Sequence, residues 1–160
     1  MRRRSLREIR TRLVQEARNL SWLLRSPRIP ELTITPLPLP DGKSSAALLC
    51  GRIHERETLA RAEALLRGEV EIFGQPVLTG RNIEWRRDYR SGRASGLAYF
   101  RRVPYLDFER CGDHKAVWEL NRHQHLVVLA QAYLYTRECR FPEEIARQVE
   151  SWIEQNPFPL

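Results

Sequence analysis

The sequence lacks any long hydrophobic run, and this absence excludes a membrane-spanning chain. No stretch approaches the roughly 18 consecutive apolar residues that a transmembrane helix requires. The basic residues 2–4 are not followed by an apolar segment, so no secretory signal peptide is visible. A cytoplasmic chain would have these features, and so would an exported chain that has lost its leader.

Cysteine is scarce too, and its placement argues against disulfides and metal. Cys50, Cys111 and Cys139 form an odd, widely spaced set, so we expect reduced and mostly buried thiols. His123 and His125 would lie about 200° apart on a helix, which does not suit a shared zinc ion. The sequence also contains no glycine-rich phosphate loop, nucleophile elbow or HExxH motif. No metal site and no cofactor are therefore predicted.

Positive charge is unevenly distributed along the chain. The formal net charge is +7 over 160 residues. Residues 1–30 contain nine arginines against only Glu8 and Glu16, so this segment accounts for the whole excess. Because the remainder is close to neutral, no nucleic-acid partner is expected for the domain as a whole. The whole chain contains 42% hydrophobic and 29% charged residues, which is typical of a globular protein.

The spacing of apolar residues predicts a mainly α protein. Spacings of three and four predict an amphipathic first helix over residues 6–24, with an arginine-rich opposite face, and a second helix over 57–67. Gly68 suits the position just past the end of that helix. Alternating apolar residues then predict a short strand or hairpin near 70–79, and the glycines and proline within 80–112 predict a loop.

The C-terminal third carries the strongest helical pattern. A core helix is predicted from about residue 116 to 135, and a last helix from Pro142 to just before Asn156. A short turn joins them into an αα-hairpin. We therefore divide the chain into an Arg-rich helix with a Pro-rich linker, residues 1–45, and a helical domain, residues 46–160.

Chemically distinctive side chains cluster at the start of the predicted core helix. Lys115, Trp118, Glu119, Arg122 and His125 follow one another at helical spacing, which predicts that they project from one side. An aromatic surface beside cations can stack on an acidic sugar and bind its carboxylate or sulfate. The alternative is a solvated Glu119–Arg122 pair and a Trp118 that belongs to the core.

A second pair of candidate residues, Trp85 and Asp88, lies in the predicted loop. Such a pair could contribute to a binding site. The simpler interpretation, which we favour, is a loop that one buried tryptophan anchors to the core.

Three stretches combine into a recognisable pattern, namely IEWRRD, RVPYLDFERCGDHKAVWELNRHQHLVVLAQAYLYT and IARQVESWIEQNP. The pattern resembles the N-terminal domain of heparinase II/III-like polysaccharide lyases and covers about residues 56–160. The matching positions are Trp85, Asp88, Gly112, Asp113, Lys115, Trp118, Glu119, Arg122, His125, Ala132, Tyr133, Trp152, Asn156 and Pro157.

The resemblance implies a partial α/α toroid and β-elimination on uronic-acid polysaccharides such as heparan sulfate or alginate. It implies an acidic polysaccharide as partner and a periplasmic location. Trp118, Glu119 and Arg122, with Lys115 and His125, would line part of the substrate cleft.

The resemblance also implies that this chain lacks the catalytic residues. In relatives, a Gly-x-Asn-Trp-type segment after Asn-Pro supplies the asparagine that neutralises the uronate, and the base and acid come later. Since no such segment precedes Leu160, we expect no catalytic residue here and no turnover by this chain alone. We also expect an apolar face at Trp152 and Ile153 that favours self-association.

An alternative function comes from the basic N-terminal segment. The chain could be a non-enzymatic helical binding module whose Arg-rich helix binds nucleic acid, an acidic membrane or a protein partner.

Overall fold

The protein is mostly helical, as the sequence predicts. The computed structural model describes residues 5–25, 41–49 and 55–157. Within these ranges the helices are α1 (Leu6–Leu24), α2 (Gly42–Leu49), α3 (Glu55–Leu66), α4 (Phe108–Cys111), α5 (His114–Asn121), α6 (Gln124–Thr136) and α7 (Arg140–Gln155), with a 3-10 turn at Phe100–Arg102. None of the described helices has the length and hydropathy needed to cross a membrane. The predicted Pro-rich linker and Cys50 lie outside the described residues.

Two antiparallel strand pairs complete the fold. Strand β1 (Glu69–Ile72) pairs with β2 (Gln75–Leu78), and β3 (Arg87–Asp88) pairs with β4 (Arg93–Ala94). The first pair confirms the hairpin predicted near residues 70–79. Its turn residues Phe73 and Gly74 both have positive φ, which suits the right-handed twist of a two-residue hairpin.

The core lies where α3, α6 and α7 meet the first hairpin. Helix α6 contacts α2, α3 and α7, and the α6–α7 pair is the predicted αα-hairpin. The largest fully buried side chains are those of Trp85, Phe141, Ile72, Leu120, Leu129 and Gln148. Burying an apolar side chain of this size contributes about 1.5–3 kcal/mol, so this cluster supplies much of the driving force for folding.

The predicted core helix over 116–135 is wrong as a single element. The chain forms α5, breaks at Arg122–His123, and continues as α6 in a new direction, because His123 adopts a left-handed conformation with φ of 57°. The His123 ring lies edge-on to Trp85 and to Trp152, with centroid distances of 5.2 and 5.3 Å. These contacts offset the strain of positive φ, which is unusual for a residue other than glycine.

Two other predicted bounds also need correction. Helix α7 begins at Arg140, so Pro142 lies in its first turn and not at its first residue. Residues 80–112 are not wholly irregular, since they contain the β3–β4 pair, the 3-10 turn and α4. Such short elements leave no periodic pattern that sequence reading could detect.

Candidate functional site

A buried carboxylate joins the loop before α4 to the start of α5. Asp88 accepts hydrogen bonds from the Ser91 hydroxyl at 2.6 Å and from the backbone N–H groups of Arg90 and Asp113 at 3.0 Å. Burial raises the pKa of Asp88, but these hydrogen bonds outweigh it and the pKa is lowered overall. Asp113 in turn caps α5 through the backbone N–H of Lys115 at 2.9 Å. Asp88 therefore holds α5 in position.

Trp85 anchors the same loop to α7. Its side chain is fully buried, and its indole N–H donates to the Ser151 hydroxyl at 3.3 Å. The Asn121 side-chain amide donates to the Trp85 carbonyl at 2.7 Å and accepts from the Trp152 indole at 2.8 Å. The interpretation of Trp85 as the buried anchor of a loop is confirmed, and Asn121 links both tryptophans to α5.

An exposed aromatic surface lies next to the loop that Trp85 and Asp88 hold in place. The Trp118 side chain, on α5, is 54% exposed, and its ring centroid lies 6.4 Å from Tyr105 and 6.2 Å from His114. Together with Phe100 these rings border a cleft of about 400 Å³, which we call the aromatic cleft. Its other lining residues are Trp85, Arg86, Ser95, Gly96, Leu97, Ala98, Val103, Val117, Asn121 and Asn156.

Two buried nitrogen atoms, in residues that border the aromatic cleft, lack hydrogen-bond partners among the described residues. Arg86 donates through one terminal nitrogen to the Gln155 carbonyl, but its Nε finds no acceptor among the described residues. The buried Nδ1 of His114 likewise has no partner within the described part of the chain. A buried unsatisfied polar group costs about 1–3 kcal/mol. The ligand preference of the cleft therefore rests on its aromatic rings and on the charge of the Arg86 guanidinium. The arrangement suits an anionic or hydroxyl-rich ligand with a flat apolar face.

The structure separates the five residues that the sequence places on one side. Trp118 lines the aromatic cleft, and Lys115 and Arg122 are exposed. Glu119 pairs with Arg122 at 3.2 Å, as its spacing predicts. His125 lies beyond the break at His123 and belongs to α6. Lys115, Trp118 and Glu119 therefore lie on α5, and Arg122 is the capping residue at its end.

Glu119 and His125 instead line a second cleft, of about 560 Å³, between α3, the first hairpin and α6. Glu69, Glu71 and Glu119 face it, against the cationic side chain of Arg61. Glu69 pairs with Arg67 and Glu119 with Arg122, so this cleft has no excess of positive charge that would attract an acidic ligand. We therefore take the aromatic cleft as the candidate functional site.

His125 is held within a hydrogen-bonded network that connects α6 to α7. Its Nε2 lies 2.8 Å from the Gln148 side-chain oxygen, and the Gln148 amide donates to Glu144 at 2.7 Å. Glu144 pairs with Arg147 at 2.6 Å. Gln148 itself is fully buried, so the network fixes α6 against α7. These contacts give His125 a structural role.

Sequence reasoning missed several residues of the aromatic cleft. Phe100 and Tyr105 fall within the segment predicted as a loop, and Arg86 adjoins the anchor Trp85. His114 is not among the binding residues that the sequence predicts. The signal that could have drawn attention to this segment is its run of four aromatic residues between residues 99 and 108.

Acidification is expected to destabilise the fold as the pH falls from about 7.5 through about 6.5. Burial lowers the pKa of both His123 and His125 below the ordinary value of 6.5. Below about pH 6.5 the two imidazoles therefore bind protons more readily in the unfolded chain than in the folded chain. Stability then falls by at most about 1.4 kcal/mol per pH unit for each histidine. Thermal melts across this range would measure the loss.

The control for this expectation is His125→Asn, whose melting temperature should vary less with pH than that of the parent chain. The lowered pKa values of Asp88 and Glu144 destabilise the fold only at lower pH, below their ordinary values of 3.8 and 4.5. A parent melting temperature that stays constant down to about pH 5.5 would contradict the assignment of neutral, buried imidazoles.

These observations define a helical domain that presents an exposed aromatic cleft on one side of an αα-hairpin core. The family described as Heparinase II/III N-terminus matches residues 51–160. The chain belongs to this family, which confirms the resemblance seen in its motifs. No curated protein and no solved structure matches the chain.

Proposed function

We propose that the chain forms the N-terminal part of a polysaccharide lyase that acts by β-elimination on uronic-acid polysaccharides of the heparan sulfate or alginate type. Membership of the Heparinase II/III N-terminus family supports the enzyme class. In this proposal the chain contributes the fold and part of the substrate cleft. We assign no catalytic base to this chain.

The observation that carries the proposal is the exposed Trp118 ring in a cleft that Arg86 and His114 also line. A sugar ring can stack its apolar face on the indole. A uronate carboxylate can then reach the Arg86 guanidinium, which binds carboxylates through charge-assisted hydrogen bonds. Lys115, on the same helix as Trp118, and Arg122, at its end, add positive charge for neighbouring sugar units.

The chemistry explains why binding groups of this kind matter. In β-elimination a base removes the proton from C5, and the electron pair forms the C4–C5 double bond as the C4–oxygen bond breaks. Negative charge develops on the uronate carboxylate during this step. A cation held against that carboxylate stabilises the transition state more than the ground state. In the proposal Arg86 binds a uronate of the polysaccharide chain and is not assigned this catalytic position.

The exposed apolar face of α7 supports the proposed α/α toroid. Val149 and Ile153 are exposed there, at the edge of the face through which Ile145 and Trp152 pack against the core. In an array of helical hairpins each pair packs against the next, which would cover this face. The same face would favour self-association of the isolated chain, and sedimentation velocity of the parent and of Ile153→Gln would measure it.

Replacing Trp118 by alanine is expected to weaken binding of uronate oligosaccharides about tenfold or more, equal to about 1.4 kcal/mol, because the stacking surface is lost. Titration calorimetry with an oligomer of guluronate or of desulfated heparan measures the effect. Phe73→Ala is the matched control, since that aromatic ring is 55% exposed but lines the second cleft. Affinity reduced by Phe73→Ala and unchanged by Trp118→Ala would move the site to the second cleft.

A further inference from the structure

Helix α1 presents an apolar stripe to solvent. Its residues Leu6, Ile9, Leu13, Leu20 and Leu24 recur at spacings of three, four and seven, which place them on one side of the helix, and all of them are exposed. No other described element has a large contact with α1. The ion pair between Glu16 and Arg101 is the one salt bridge recorded between α1 and the rest of the described chain. The stripe is thus not part of the core.

The charges of α1 add to a positive surface beside this stripe. Glu8 pairs with Arg12 at 3.1 Å, and Glu16 pairs with Arg101, so both acidic groups of the helix are neutralised. Arg7, Arg10 and Arg18 have no carboxylate partner within the described residues, and they border one shallow depression together with Thr11, Val14 and Gln15. Their cationic groups therefore act together on one side of α1.

We propose that α1 docks on an anionic phospholipid bilayer, lying in the plane of the interface. Exposed leucines beside a cluster of arginines are the two features that interfacial helices combine: apolar burial among the acyl chains and attraction to anionic headgroups. Arg2, Arg3 and Arg4 in the sequence add to the same charge. Nucleic acid would satisfy the arginines equally well but would leave the leucine stripe in water, so the bilayer accounts for both features.

The test is flotation of the full chain with vesicles. Binding is expected to vesicles that mix phosphatidylcholine with phosphatidylglycerol, and not to vesicles of phosphatidylcholine alone. The triple variant Arg7→Gln, Arg10→Gln, Arg18→Gln should weaken binding about a hundredfold. The reason is that each arginine near an anionic surface contributes about 1 kcal/mol of attraction. Leu13→Gln with Leu20→Gln should weaken binding by a similar factor. All these side chains are exposed, so thermal melts should show an unchanged core.

Matched controls lie outside α1. Leu106→Gln removes an exposed leucine and Arg102→Gln an exposed arginine, and both variants should bind vesicles like the parent chain. Absence of binding to anionic vesicles at low salt overturns the proposal. A second result would also overturn it: the arginine variant abolishes binding to both duplex DNA and vesicles, and the leucine variant leaves both intact. The leucine stripe would then play no part in binding. A dimer that the leucine variant disrupts, without vesicle binding, would assign the stripe to a second copy of the chain.

Discussion

Replacing Trp85 by alanine is expected to lower the free energy of unfolding by about 3–5 kcal/mol. The indole is completely buried in the core cluster. Its removal leaves a large cavity and deprives the Ser151 hydroxyl of a hydrogen-bond donor. The His123 ring also loses one of the two aromatic neighbours that hold the break between α5 and α6. A domain of this size has a stability of about 5–15 kcal/mol, so much of it would be lost.

Urea denaturation followed by circular dichroism would measure the difference. Trp118→Ala is the matched control, since it removes the same side chain from an exposed position and should cost less than about 1 kcal/mol. The two variants therefore assign opposite roles to two tryptophans of the family pattern: Trp85 stabilises the fold, and Trp118 binds ligand. Equal destabilisation by both variants would contradict this division.

Gly112→Ala is expected to cost about 2–4 kcal/mol. Gly112 has φ of 73° and ψ of −168°, a conformation that is essentially restricted to glycine and costs about 1–3 kcal/mol for other residues. A Cβ atom there would also lie 2.7 Å from the Cβ of Asp88 and 2.8 Å from the Ser91 hydroxyl oxygen. The substitution would therefore displace the carboxylate that fixes the start of α5.

Gly92→Ala separates the two contributions. Gly92 also has positive φ, but the nearest atom to an added Cβ is the flexible end of Arg87 at 3.9 Å. This variant should cost only about 1 kcal/mol, the strain of the left-handed conformation. Chemical denaturation of both variants under the same conditions gives the comparison. If the two variants were equally destabilised, contact with Asp88 would not be a reason why residue 112 must be glycine.

Local sequence signals identified most of the helices and the first hairpin. Apolar spacing placed α1 at its observed bounds and α3 within two residues of them, and Gly68 marks the end of α3 with φ of 80°. Alternation at Val70 and Ile72 located β1, since both side chains point into the core. These signals succeed because they depend on neighbours within one or two turns of the same element. The order of the motifs likewise indicated the family that the profile match confirms.

Tertiary structure alone decided the break at His123 and the composition of the aromatic cleft. The residues around His123 read as one continuous helix, and only packing between Trp85 and Trp152, both distant in sequence, favours the left-handed turn. That turn moves His125 to α6 and leaves Trp118 on α5. The cleft brings Arg86 and Tyr105 to Trp118 from a segment with no periodic pattern. The sequence by itself thus determined the elements and the family, whereas contacts between distant residues decided which side chains share a site, because periodicity reports only local neighbours.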